Sequence, residues 1–169
     1  MQILQNLKPA LRWNVPLMGS FKMNVDAGFS SHLREANLGI VIRNHTSSIL
    51  YSVVTRVGVI DSPLHVEFMA ILFGLQESRN YDIDSLYIES DSLLAIREIE
   101  AGQGSMSERF GVISEVLRLS LQYEFSRFSH ISKVTNGCAH NLTKIPCNMG
   151  EHKVWRNSLP PSFCNPNLV

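Results

Sequence analysis

Three acidic residues, Asp26, Glu67 and Asp91, stand at positions where they could act together. Phe21, Met23 and Val25 alternate with Lys22, Asn24 and Asp26 at strand period, so Asp26 is read as closing a first strand. Asp91 closes the β-rich run Ser85-Leu-Tyr-Ile-Glu-Ser in the same way. Glu67 lies in a helical stretch, and Ala70, Ile71 and Gly74 are its neighbours along one face. So small and apolar a face should pack tightly, and a lone carboxylate there would be costly to bury. Three carboxylates brought together repel, which raises at least one pKa. A hard divalent cation such as Mg²⁺ removes that penalty, because it takes oxygen ligands and shares them with substrate phosphates. Taken singly, each residue has another use. Asp26 can cap a turn toward Gly28, Asp91 can be the N-cap of the next helix, and Glu67 can be a solvated helix residue.

Such a trio needs two strand ends and a helix face in one place. Leu38–Arg43 and Ile49–Val57 are β-rich, and the short polar stretch Asn44–Ser48 makes them a hairpin. With the first strand, and a turn expected at Gly28, Ser30 and Ser31, they form an antiparallel meander. Ser62-Pro63 opens a helix as N-cap and first residue, and Leu64, Phe68, Ile71, Leu72 and Leu75 keep helical spacing toward Asn80. A strand to Asp91 precedes a helix from Ser92 to about Ala101, ended by Gly102 and Gly104. Ser107–Tyr123 gives a third helix with Ile113, Val116, Leu117 and Leu121 inward. Phe125–Lys133 is a fifth strand, and Asn136 caps a last helix that Pro146 stops. Hairpins first and crossover helices later imply an α/β fold with a mixed sheet, whose sites form at the carboxyl ends of strands. Residues 1–20 read as an irregular lead-in, 21–147 as the domain, and 148–169, with Pro160, Pro161 and Pro166, as a loosely packed tail.

The 169 residues are 44% hydrophobic and 18% charged, which suits one globular domain. The formal net charge of +0 excludes a strongly basic nucleic-acid binder, so phosphate contacts would fall to local cations such as Lys22, Arg34, Arg43 and Lys133. Cys138, Cys147 and Cys164 form no CxxC pair, which fits a reducing compartment better than a disulfide framework. Lys8, Pro9, Arg12 and Pro16 interrupt Met1–Ser20, so a secretory signal is not expected, and no apolar run is long enough to span a membrane. A soluble nuclear or cytoplasmic protein is the expectation.

The same residues carry a family resemblance. Trp13-Asn-Val-Pro16-Leu-Met-Gly19-Ser-Phe-Lys22-Met-Asn24-Val-Asp26 resembles the opening W-x-x-P-x-x-G-x-x-K-x-N-x-D-G of ribonuclease H-like domains of the type-1, reverse-transcriptase-like kind, abundant in plant genomes and retroelements. Leu38-Gly-Ile-Val-Ile-Arg43 is similar to their second strand, Glu67-Phe-Met-Ala70 with Gly74-Leu75 to A-E-x-x-A-x-x-x-G-L, and Ile88-Glu-Ser-Asp91-Ser92 to V-E-S-D-S. Asn136-Gly-Cys-Ala139-His140-Asn-Leu142 resembles N-x-x-A-[DH]-x-L, and Trp155 with Pro160-Pro161 matches a common tail. The resemblance implies a five-stranded mixed sheet of order 3-2-1-4-5 flanked by helices. It implies a monomer that cleaves the RNA strand of an RNA–DNA hybrid, or acts on a double-stranded RNA-like helix, with two Mg²⁺ (or Mn²⁺) ions. Asp26 would bridge both ions, Glu67 would bind one and help position water, and Asp91 would bind from the neighbouring strand. Recognition would rest on backbone shape and 2′-hydroxyls.

The sequence also departs from that family. His140 stands where the best-studied members have a fourth carboxylate, and imidazole is a poorer Mg²⁺ ligand, though acceptable to Mn²⁺. Reduced or metal-shifted activity follows, unless His140 is simply a half-exposed helix residue. His130 matches the position of a mobile histidine that assists product release in some relatives, or it is an ordinary strand residue. Asp26-Ala27-Gly28 replaces D-G-A, Val66 replaces the usual alanine, and Lys133-Val-Thr-Asn136 replaces R-E-x-N and loses an Arg–Glu pair. The alternative function is therefore a catalytically weak or inactive nucleic-acid-binding module of retroelement origin, and a third is a folded remnant serving protein contacts.

Overall fold

The computed structural model describes residues 13–102 and 109–163. In chain order the elements are β1 (Phe21–Ser30), β2 (Glu35–Asn44), β3 (Ile49–Gly58), α1 (Pro63–Ser78), β4 (Ser85–Ser90), α2 (Leu93–Ala101), α3 (Arg109–Ser120), β5 (Phe125–His130), α4 (Gly137–Leu142) and β6 (His152–Arg156). A 3-10 turn follows at Pro161–Phe163. One sheet runs β5-β4-β1-β2-β3-β6. β1, β2, β3 and β6 pair antiparallel, while β4 lies parallel to β1 and β5 parallel to β4.

The α/β class and the 3-2-1-4-5 order agree with expectation, but the sheet has six strands rather than five. The sixth, His152–Arg156, comes from the stretch expected to be a loose tail. It pairs with the free edge of β3 from Tyr51↔Arg156 to Thr55↔His152. The Thr55 and Ser52 hydroxyls donate to the Glu151 and Ser158 carbonyls on either side of it.

The alternation along β1 sends its residues to two different layers. Met23 and Val25 join a core built with α1, α2 and α3, including Phe68, Ile71, Leu75, Ile96, Ile99 and Ile113. On the other face Val41 packs with Cys138, Ala139 and Leu142 of α4, and Trp155 of β6 closes that smaller cluster. Burying each such aliphatic side chain contributes roughly 1.5–3 kcal/mol.

Helix starts follow the sequence. The Ser62 side chain accepts from the His65 amide ahead of Pro63, and the Ser92 side chain accepts from the Ala95 amide. Four local expectations fail. Gly28 does not make a turn but lies within β1, which runs on to Ser30. A Cβ at Gly28 would come within 3.0 Å of the Thr143 side chain, so glycine is there to admit the end of α4. Leu121 is exposed, because α3 stops at Ser120, and Leu119 is buried instead. β5 ends at His130, short of Lys133. Asn136 occupies the N-cap position of α4 but gives it no side-chain bond. Gly104, Ser107, Cys164 and Pro166 lie outside the described residues.

Candidate metal centre

β1 and β4 stay in register from Phe21↔Leu86 to Val25↔Ser90, and there their pairing ends. The next residue on each strand is an aspartate. Asp26 continues in β1, opposite Gly39 of β2, while Asp91 begins the turn into α2. Asp26 therefore does not close its strand; it marks where β1 parts from β4. Glu67 reaches the same point from α1, one turn after Pro63. Asp26, Glu67 and Asp91 each offer an oxygen within 4.8 Å of the others. Asp26 is 4% exposed, and Glu67 and Asp91 are half-buried. The single-residue alternatives fail on geometry. Asp26 sits mid-strand, Ser92 rather than Asp91 caps α2, and Glu67 Oε2 is buried with no hydrogen-bond partner among the described residues.

Crowding shows in the carboxyl groups. Burial, and then the Asp91 charge, push the Asp26 carboxyl above its ordinary value, against the opposing pull of its His140 hydrogen bond. Glu67 rises to about 8, through burial first and then the charges of Asp26 and Asp91, with Lys133 opposing. This has a consequence for stability. The Glu67 carboxyl is raised above its unfolded value of 4.5, so its contribution is fully present below pH 4.5 and is lost as pH rises through about 8. In chelator, the melting temperature of the protein should fall across that window, and Glu67→Gln should flatten the fall and melt higher at pH 8. Parallel pH curves for the two proteins would refute the assignment.

Other groups adjoin the trio from α4 and its approach. His140 Nδ1 lies 2.8 Å from Asp26 Oδ2. An ionised carboxylate can only accept, so in that form Asp26 takes its hydrogen bond from Nδ1–H. His140 thus meets Asp26 from beside the three-carboxylate cluster. Asn136, read from sequence as a helix cap, donates from Nδ2 to the Val25 carbonyl at 2.8 Å and to Asp91 Oδ1 at 3.2 Å. Nothing in the spacing signalled that role. Lys133 is exposed on the loop before α4, and His130 is exposed at the end of β5. A groove of about 290 Å³, lined by Pro63, Leu64, Glu67, Asp91, Ser92 and Leu94, opens beside the carboxylates.

Two cations expected to contact phosphates are spent inside the fold. Lys22 pairs with Glu89 at 2.8 Å and donates to the Asn14 carbonyl. Asn24 donates to the other Glu89 oxygen and accepts from both Arg43 and the Trp13 indole. The Arg43 guanidinium lies 3.7 Å from the Trp13 ring centre. Each of these buried polar groups is needed by its neighbour, as buried charges must be. The network ties residues 13–14 of the lead-in to the sheet, which explains why Trp13, Lys22 and Asn24 occur together. Arg34 pairs with Asp61. Of the four cations, Lys133 is the one whose charge reaches Glu67.

The residues present fit a divalent cation. The donors are all oxygens, one buried oxygen lacks a partner among the described residues, and neighbouring carboxylates raise the proton affinity of Asp26 and Glu67 in the absence of a counter-charge. No helix among the described residues is long and apolar enough to cross a membrane.

Known proteins share this architecture. Ribonuclease H1 of the halophilic archaeon Halobacterium salinarum NRC-1 superposes with a TM-score of 0.67 at 15% identity, over 73% of this chain and 93% of that one. The N-terminal RNase H domain of a Mycobacterium tuberculosis protein gives 0.67 at 15% identity, over 73% and 90%. LC11-RNase H1, isolated from compost by a metagenomic approach and solved in complex with an RNA/DNA hybrid, gives 0.64 at 16%, over 73% and 93%. No curated protein matches the sequence significantly. The model of the reverse transcriptase-like family matches residues 24–145, which include all three carboxylates and His140. The chain belongs to the reverse transcriptase-like family, and its sheet and helices are those of the ribonuclease H fold.

Proposed function

We propose that the chain is a metal-dependent endoribonuclease that cleaves the RNA strand of RNA–DNA hybrids, acting as a monomer. One observation carries the reading: carboxylates from β1, α1 and the end of β4 converge within 4.8 Å beside a groove. The fold is shared with ribonucleases H1, one of which was solved with an RNA/DNA hybrid, and this supports the choice of substrate. Asp26, Glu67 and Asp91 would hold Mg²⁺ or Mn²⁺. Bound there, the cation would supply Lewis-acid stabilisation of charge developing on a phosphate and make water a better nucleophile. The chain's own residues prepare the place. Asp26 is buried and oriented by His140. Glu67, held neutral by its surroundings near pH 7, must release a proton to serve as a ligand, so metal affinity rises with pH. Pro63, Leu64 and Leu94 form an apolar wall against which a sugar–phosphate backbone would lie, read by shape rather than base edges.

A second reading is a weakly active or inactive nucleic-acid-binding module of retroelement origin. Two observations favour it: His140 engages Asp26 where a fourth carboxylate is expected, and Lys22 and Arg43 are unavailable to phosphates. A titration of Mg²⁺ and Mn²⁺ with purified protein and labelled hybrid separates the two. The first reading expects cuts in the RNA strand alone, stopped by chelator. It also expects His140→Asp to raise the Mg²⁺-supported rate relative to the Mn²⁺-supported one by roughly tenfold. Intact hybrid in both metals, with salt-sensitive binding by folded protein, leaves only the second.

A further inference from the structure

We infer that Asn136 is a positioning residue that fixes Asp91 against β1, so that α4 and its cap hold two of the three carboxylates in place. Asn136 is fully buried. The β1–β4 ladder makes its last pair at Val25↔Ser90, and the Asn136 amide takes over at that point. One amide proton goes to the Val25 carbonyl at 2.8 Å and the other to Asp91 Oδ1 at 3.2 Å. The first ties the residue to β1, and the second holds the Asp91 side chain to the same amide. An N-cap asparagine ordinarily spends its side chain on its own helix. Here it gives no such bond, and its position is fixed instead by the backbone, Asn136 N donating to the Ser132 carbonyl. His140 follows one turn later, its amide donating to the Asn136 carbonyl at 3.0 Å, and its ring meets Asp26. Two residues four apart thus reach two carboxylates, one on β1 and one just past β4, at the place where those strands no longer hold each other. Glu67, supplied by α1, is the carboxylate with a buried oxygen that has no partner among the described residues. Groups that orient ligands from behind commonly set metal affinity by about ten- to a hundredfold.

This inference rests on the reading of the three carboxylates as a cation site. The test is Mn²⁺ affinity of the whole chain, read by calorimetry and by the electron paramagnetic resonance signal of free Mn²⁺, for wild type and Asn136→Ala. The expected result is about a ten- to hundredfold weaker affinity in a variant whose circular dichroism is unchanged. A merely structural asparagine would lower the melting temperature and leave the affinity alone, and wild-type affinity in folded Asn136→Ala overturns the inference. A second measurement needs neither that variant nor metal. In chelated wild type, both Asn136 side-chain amide protons should exchange slowly. In Asp91→Ala, the one facing residue 91 should lose its protection while the one facing Val25 keeps it. Equal protection in both proteins overturns the inference. Failure of wild type to bind Mn²⁺ would instead remove the proposed function, with the Asn136–Asp91 tie still decided by the amide experiment.

Discussion

Asp26→Asn should abolish hybrid cleavage in both Mg²⁺ and Mn²⁺, by at least about a thousandfold. Charge stabilisation by a catalytic cation amounts to several kcal/mol, and each ~1.4 kcal/mol is a factor of ten in rate. Asp26 is the most buried of the three carboxylates and sits on β1, a central strand that pairs with β4 and packs against α1. Asparagine matches it in shape and removes the charge. The fold should tolerate the change, because burial and the Asp91 charge already disfavour the ionised form of Asp26. Metal-free Asp26→Asn should therefore melt no lower than wild type at pH 7, while its cleavage disappears. That divergence separates loss of the site from loss of the fold. Cleavage within tenfold of wild type, measured under single-turnover conditions, would mean that these carboxylates are not the site.

Much of this was legible because strand and helix periodicities leave direct marks. The alternation from Phe21 to Asp26 and the run ending at Asp91 fixed two aspartates at the parting of two parallel strands. Ser62-Pro63 set the start of α1 and hence the turn that carries Glu67. What escaped was whatever depended on a partner far away in sequence. Lys22 and Arg43 look like surface cations in the sequence, and only the assembled sheet shows Glu89, Asn24 and Trp13 around them. Gly28 reads as a turn former because glycine serves turns and close approaches alike, and the choice here is made by Thr143. The β6 strand is five residues among breakers, too short to stand out, and exists because β3 presents an open edge. Asn136 reads as a cap by type and position, and no local rule says that its amide is needed elsewhere.

The docking of α4 yields the second large effect. Gly39 of β2 lies opposite Asp26, and a Cβ there would fall 2.6 Å from the Ala139 carbonyl oxygen and 2.9 Å from the Leu142 Cβ. The nearest obstacle is helix backbone, which cannot rotate away as a flexible side chain would. Gly39→Ala must therefore push α4 off the sheet, at a cost of about 3 kcal/mol. For a chain of this size that corresponds to a melting temperature lower by roughly 6–12 °C. Because α4 carries His140 and begins at Asn136, the same displacement should loosen both contacts to the aspartates and weaken Mn²⁺ binding in the protein that remains folded. Gly111, near the start of α3, is the control. Nothing among the described residues lies within 4 Å of a Cβ built there, so Gly111→Ala should stabilise the helix by about 0.5–1 kcal/mol and leave metal affinity unchanged. One substitution type then acts with opposite signs at two glycines, decided by whether a helix backbone stands in the way. If Gly39→Ala melts within a degree or two of wild type, α4 does not sit against β2 at this distance, and the route by which His140 and Asn136 reach the carboxylates is lost with it.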